Sequence, residues 1–115
     1  MDHYRSVLSE RDLLKALSKC KSKYRKSILT IADKPLIKAI CECVYNVLLG
    51  NINLTDTNKQ KLKKHKHILR KLIDKSSLKE KKKILIQKGG FLQFIIPAVI
   101  TGLASIISSA ISKQE

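Results

Sequence analysis

PLIKAICECVYNVLLG, residues 35–50, decides the fold. Leu36, Ile37, Ile40, Cys41, Val44, Val47 and Leu48 recur at three- and four-residue spacing and form the wide apolar stripe of a core helix. Asp33 stands where a side-chain oxygen can cap the first turn, and Pro35 falls where a missing N–H costs little. Gly50 supplies the residue that ends such a helix. The stretch predicts a helical protein with this element at its centre.

Working outward, helical periodicity persists on both sides. Upstream, Ser9 with Asp12 three residues later resembles a helix start, and Leu13, Leu14, Leu17 and Cys20 follow at helical spacing. YRKSILTIA, residues 24–32, places Tyr24, Ile28, Leu29 and Ile31 near one face. Downstream, residues 51–57 read as a loop in which Thr55 or Thr57 caps a long basic helix, with Leu62, His65, Leu69, Leu72 and Ile73 on its inner side. Ser77 and Glu80 have capping-box spacing for another short helix carrying Ile84 and Leu85 inward. No useful β alternation appears. The predicted fold is all-α, a small bundle of four or five short helices with a C-terminal hydrophobic helix. Three segments are expected: a helical core over 1–58, lysine-rich basic helices over 59–90, and a hydrophobic tail over 91–115. With about 90 residues ahead of the tail, the soluble core should be small and its stability modest.

Charge is concentrated in the middle segment. The formal charge of +15 divides into +4 over residues 1–58, +11 over 59–90 and zero over 91–115. Lys59, Lys61, Lys63, Lys64, Lys66, Arg70, Lys71, Lys75, Lys79, Lys81, Lys82, Lys83 and Lys88 face only two acids over 59–88. Like charges three or four apart on a helix repel and weaken it unless something neutralises them. A solvated face normally mixes signs, so a run this one-sided points to a polyanionic partner. Lysine prevails over arginine and no aromatic residue interrupts the run, leaving little with which to stack bases or read guanine edges. Phosphate neutralisation by point charges, without sequence preference, is the expected chemistry, with duplex DNA compaction as the natural task and RNA the open alternative. His65 and His67 are two apart on a helix and poorly placed to chelate together, so packing, phosphate contact or acid sensing is their expected use.

FLQFIIPAVITGLASIISSAIS, residues 91–112, holds no charge and is long enough to cross a bilayer core of roughly 30 Å. Phe91, Leu92, Phe94, Ile95, Ile96, Val99, Ile100, Leu103, Ile106, Ile107 and Ile111 are candidates for membrane or assembly contact. Thr101, Ser105, Ser108 and Ser112 form a narrow hydroxyl stripe, as in helices that pack on each other in lipid or lie in an interface. Pro97 is expected in the first turn of a helix from about Ala98, with FLQFII as an extended or separately helical lead-in. A core helix tucked against the bundle is the plainer alternative. Gly89 and Gly90 end the preceding helix and provide a flexible hinge.

Cys20, Cys41 and Cys43 have no C-x-x-C spacing and read as small buried hydrophobes in a reducing compartment, with no disulfide framework and no metal site. Residues 1–20 lack the apolar run of a cleavable signal peptide. Without a phosphate loop, H-E-x-x-H or convincing carboxylate pair, no enzyme and no cofactor are expected.

The run KKKILIQKGGFLQFIIPAVITGLASIIS, residues 81–108, resembles the C-terminal half of adenovirus core protein X precursors, in which a basic stretch meets Gly-Gly and an apolar tail. In layout the chain is also similar to small basic virion proteins of adintoviruses and Polinton-like elements, through residues 35–50 and KQKLKKHKHILR, residues 59–70. The resemblance implies a non-enzymatic virion component that condenses double-stranded DNA, or one that helps breach a host membrane. It would reside in the virion and the host nucleus or cytoplasm, with membrane, capsid proteins or its own copies as further partners. Gly89-Gly90 would then be cut by an adenovirus-type protease, and the lysine-rich composition departs from the arginine-rich mature peptide. From the residues themselves, a membrane-active or tail-anchored protein gripping acidic headgroups is the main alternative. A helix-turn-helix regulator is a weaker one, given the seven-residue loop between the two helices.

Overall fold

Asp33 does cap the central helix: its side chain accepts from the Leu36 N–H at 3.2 Å, and the helix runs Lys34–Leu48. The computed structural model describes the backbone of residues 5–114 and the side chains of residues 5–104. Among them the order is α1 (Arg5–Ser9), α2 (Arg11–Lys19), α3 (Ser22–Thr30), α4 (Lys34–Leu48), α5 (Asp56–Ile73), α6 (Leu78–Lys88), a 3₁₀ turn (Gly89–Phe91) and α7 (Leu92–Gln114). The protein is all-α with a C-terminal apolar helix, as its periodicity predicts, and no strand occurs among the described residues.

α4 is buried on more sides than its stripe suggested. Leu36, Ile37, Ala39, Ile40, Cys43, Val44 and Val47 are buried, whereas Cys41 and Leu48 are only half-buried. Its C-terminus is closed by a polar clamp. The buried Asn46 donates to the Glu42 carbonyl at 2.8 Å and accepts from the Asn51 amide at 3.1 Å, and the Asn51 N–H donates to the Asn46 carbonyl. Gly50 takes φ 78°, the left-handed conformation that lets the chain leave the helix without a Cβ penalty.

Thr55 and Ser77 cap α5 and α6 by accepting from Asn58 N and Glu80 N. Ser9 does not cap α2, because α1 already occupies that stretch and the residue ahead of α2 is Glu10, with no side-chain cap. α1 is capped from a distance: the Glu42 carboxylate accepts from the Ser6 and Val7 N–H groups at 3.0 and 3.3 Å. Leu13, Tyr24 and Ile31 are exposed rather than packed inward.

The main departure concerns the apolar tail. α7 begins at Leu92, contains Pro97 within it, and packs chiefly on α2 and α4. FLQFII is therefore the 3₁₀ turn's end and the first turn of the same helix. Phe91, Leu92, Ile95, Ile96, Val99 and Leu103 are buried in a single cluster with Leu14 and Leu17 of α2, Ile40 and Val44 of α4, Leu69 of α5 and Leu85 of α6. The three sequence segments thus share one core, and the small soluble core expected of the first 90 residues is completed by the tail.

Candidate functional site

α5 turns its apolar side, Leu69 and Leu72 with the half-buried Leu62, His65 and Ile68, toward the bundle. Lys59, Lys63, Lys66 and Arg70 recur at four-, three- and four-residue spacing, so they line one edge of the opposite surface. Lys64 and Lys71, seven apart, form a neighbouring row. All six are exposed. His65 lies on the inner boundary, its ring centroid 6.0 Å from Phe91 and 6.2 Å from Phe94. The Lys61 ammonium is 5.8 Å from the Phe94 centroid, near enough for a cation–π attraction that steadies one lysine of the face.

The face continues through Lys75 in the connection and Lys79, Lys83 and Lys88 of α6, all exposed. Lys81 and Lys82 leave it. Lys82 is half-buried and its Nζ donates to the Ala32 carbonyl at 2.9 Å, tying α6 to the end of α3 across fifty residues of sequence. That bond satisfies an orphaned carbonyl beyond a helix end, so Lys82 is a structural donor rather than a phosphate contact. Lys81 is half-buried in a groove of about 330 Å³ with Lys38, Cys41, Glu42, Tyr45, Leu72 and Ile73.

The two acids within the run do not neutralise it. Asp74 accepts from the Ser76 N–H at 2.8 Å, and its carboxyl is held below the usual range first by the Ser76 hydroxyl, then by that N–H, with lesser help from Lys81 and Lys71. It closes the turn between α5 and α6. Among the described residues, no lysine or arginine of the run lies within 4.0 Å of a carboxylate oxygen. The result is an exposed, unneutralised cationic surface of eleven side chains, namely Lys59, Lys61, Lys63, Lys64, Lys66, Arg70, Lys71, Lys75, Lys79, Lys83 and Lys88.

The residues assigned to membrane or assembly contact are placed differently from the expectation. Phe91, Leu92, Ile95, Ile96, Val99 and Leu103 are spent on the protein's own core, and Phe94 and Ile100 are half-buried against it. Ile106, Ile107 and Ile111 lie outside the described side chains. Residues 78–104 are long and apolar enough to cross a membrane by length and composition, a test that a core helix also passes. Gly89 and Gly90 stop α6, yet the chain passes directly through the 3₁₀ turn into α7, with Gly89 buried and Gly90 exposed.

Among the described residues, no three histidine, cysteine or acidic side chains gather as a metal site. Sequence reading missed that Arg25 is buried, at 7% exposure. The signal was present, because Arg25 is four residues before Leu29 and therefore shares its inward face on α3. It also left aside Lys23 and Lys26, which are exposed on α3 and add positive charge beside α6, against which α3 packs. No protein-family model, curated protein or solved structure matches the chain.

Proposed function

We propose that the protein is a non-enzymatic nucleic-acid binder that neutralises phosphate through the exposed cations of α5 and α6, condensing double-stranded DNA without reading its sequence. The observation that carries this reading is the surface of eleven cations with, among the described residues, no carboxylate within ion-pair distance. Such a surface is self-repelling until counterions or a polyanion cover it. Lysine ammonium groups on a convex helix surface act as point charges toward phosphate, and the single arginine gives little capacity for bidentate base recognition. The likeness of residues 81–108 to adenoviral core proteins supports a packaged viral genome as the DNA.

The test is a titration of unrelated duplexes at rising salt. Neutralising six phosphates would give a slope of about −5 in log K against log salt, with similar affinities for all sequences. An affinity indifferent to salt, or one confined to a single sequence, would overturn the reading. Replacing Lys59, Lys63, Lys66 and Arg70 by glutamine should reduce the slope by about 4 while leaving the fold intact, since none of the four has a buried side chain. The membrane-active alternative is less favoured, because α7 would have to unpack from α2 and α4 before its buried face could meet lipid.

A further inference from the structure

α7 and the chain leading into α5 enclose an open cleft of about 690 Å³. A cleft of this size is in the range that takes small molecules, about 300–1,000 Å³. Three stretches of chain build it. In the α4–α5 connection Ile52 and Leu54 pack on the core, Ile52 so near α7 that a Cβ on Gly102 would stand 2.9 Å from its Cδ1. The alternate residues Asn53 and Thr55 are thereby held outward, where they line the cleft. The first turn of α5 contributes the half-buried Asn58, and one side of α7 contributes Gln93, Phe94 and Ala98.

The chemistry of this lining is narrow. No charged side chain is among the described residues that form it, so it suits an uncharged part of a ligand. Carboxamides dominate, and the side-chain amides of Asn53, Asn58 and Gln93 make no hydrogen bond with any other described residue. Each carries donors and an acceptor side by side, the complement of a ring edge on which donors and acceptors alternate. Phe94 adds an apolar wall for a flat ring. At the mouth, the Lys61 ammonium stands 5.8 Å from the Phe94 centroid, and Lys61 follows Asn58 by three residues on the same side of α5. An uncharged, flat, hydrogen-bonding ring joined to an anion is a nucleotide. A neutral sugar would use the carboxamides and the aromatic wall but leave the ammonium without a role. A base within a duplex has its edge paired and its faces stacked, so only an unpaired one can enter.

We propose that this cleft binds the base of an unpaired nucleotide, whose phosphate meets Lys61 at the mouth. The site presupposes nucleic acid as the partner of the cationic surface of α5 and α6. It adds what the lysine run lacks, an aromatic wall and carboxamides that can engage a base. A duplex is held by charge alone, whereas a single strand or an extruded nucleotide gains the cleft as well.

The experiment follows the side-chain amide resonances of Asn53, Asn58 and Gln93 in the full-length protein by ¹H–¹⁵N NMR while deoxynucleoside monophosphates are added in turn at matched ionic strength. A saturable shift with at least one of them is expected, and none with glucose or inorganic phosphate. Q93A, at an exposed position, should keep the fold and weaken that mononucleotide about five- to tenfold, the loss of one hydrogen bond. A98M fills the cleft with a good helix former, so it should abolish the shifts of Asn53 and Asn58 without lowering the melting temperature. K61Q should bring the affinity of the mononucleotide down to that of its nucleoside. A short oligothymidylate should shift the amides and a fully paired duplex should not, although both bind. The quadruple glutamine variant of α5 should lose duplex affinity and keep the mononucleotide shifts, which separates the cleft from the cationic surface. No saturable shift with any mononucleotide, while salt-dependent duplex binding stands, would overturn the cleft alone. An equal response to glucose would make it a carbohydrate site, and an equal response to paired and unpaired DNA would mean that no base enters; either result overturns the proposal.

Discussion

Cys43 and Cys41 differ by two residues and by one helix face, and their chemistry separates accordingly. Cys43 is fully enclosed, and burial, followed by the nearby Glu42 carboxylate and Cys41, pushes its thiol up to about 12. Cys41, half-buried, is raised in the same direction by burial, opposed by the charge of Lys81. A thiol raised in the folded state is ionised first in the unfolded chain, so the folded state holds more protons once pH exceeds the ordinary thiol value of 9.0. Its contribution to stability is intact below that value and is lost as pH rises toward 12. Urea unfolding between pH 8 and 11 should show a fall to which Cys43 contributes up to about 1.4 kcal/mol per pH unit, a share that C43A removes while that of Cys41 stays. A slope unchanged in C43A would show that other groups carry it. Native-state alkylation should likewise modify Cys20 and Cys41 well before Cys43, whose labelling should track unfolding. Asp74 works in the opposite direction: its depressed carboxyl contributes above the unfolded carboxylate range and that contribution disappears as acid protonates it.

The helices that could be read from sequence are those whose ends carry their own chemistry. Gly102 shows what could not be read. It lies in α7 where the helix meets the α4–α5 connection, and a Cβ there would stand 2.9 Å from Ile52 Cδ1 and 3.2 Å from its Cγ2. G102A should cost about 1–3 kcal/mol by forcing Ile52, 5% exposed, out of its position. Combining it with I52V should recover part of that loss in urea unfolding, and strictly additive losses would show that the contact does not set the spacing. Nothing near Gly102 in sequence announces Ile52. Caps at Asp33, Thr55 and Ser77 were legible because donor and acceptor are three residues apart. α1 was not, because its capping carboxylate is Glu42, thirty-six residues away. The lysine face was legible as composition, but Lys82 could be removed from it only once Ala32 was known to lie beneath its ammonium. α7 was ambiguous for a different reason: a helix apolar on every side satisfies a bilayer and a protein interior equally.

For the whole molecule, the tail's place in the core changes what its removal means. Six residues, Phe91, Leu92, Ile95, Ile96, Val99 and Leu103, are buried from a segment that looked detachable. At roughly 2 kcal/mol for each fully buried side chain, their burial is worth on the order of 10 kcal/mol, comparable to the entire stability of a domain this size. Cleavage after Gly90 would therefore not release a folded basic module from a greasy anchor; it would expose the inner faces of α2 and α4. A chain ending at Gly90 should lose its cooperative thermal transition and much of its dispersed NMR spectrum, whereas a chain ending at Ala104, which keeps every buried residue of the described core, should retain both. Helical content by circular dichroism with a sharp melt in the shorter chain would show that α7 is dispensable. Because the proposed phosphate neutralisation needs the cations but not their precise arrangement, that proposal predicts that the chain ending at Gly90 binds duplex DNA with the same salt dependence as the parent and without its fold. Loss of DNA binding along with the fold would instead mean that the bundle's geometry, and not only its charge, holds the phosphates.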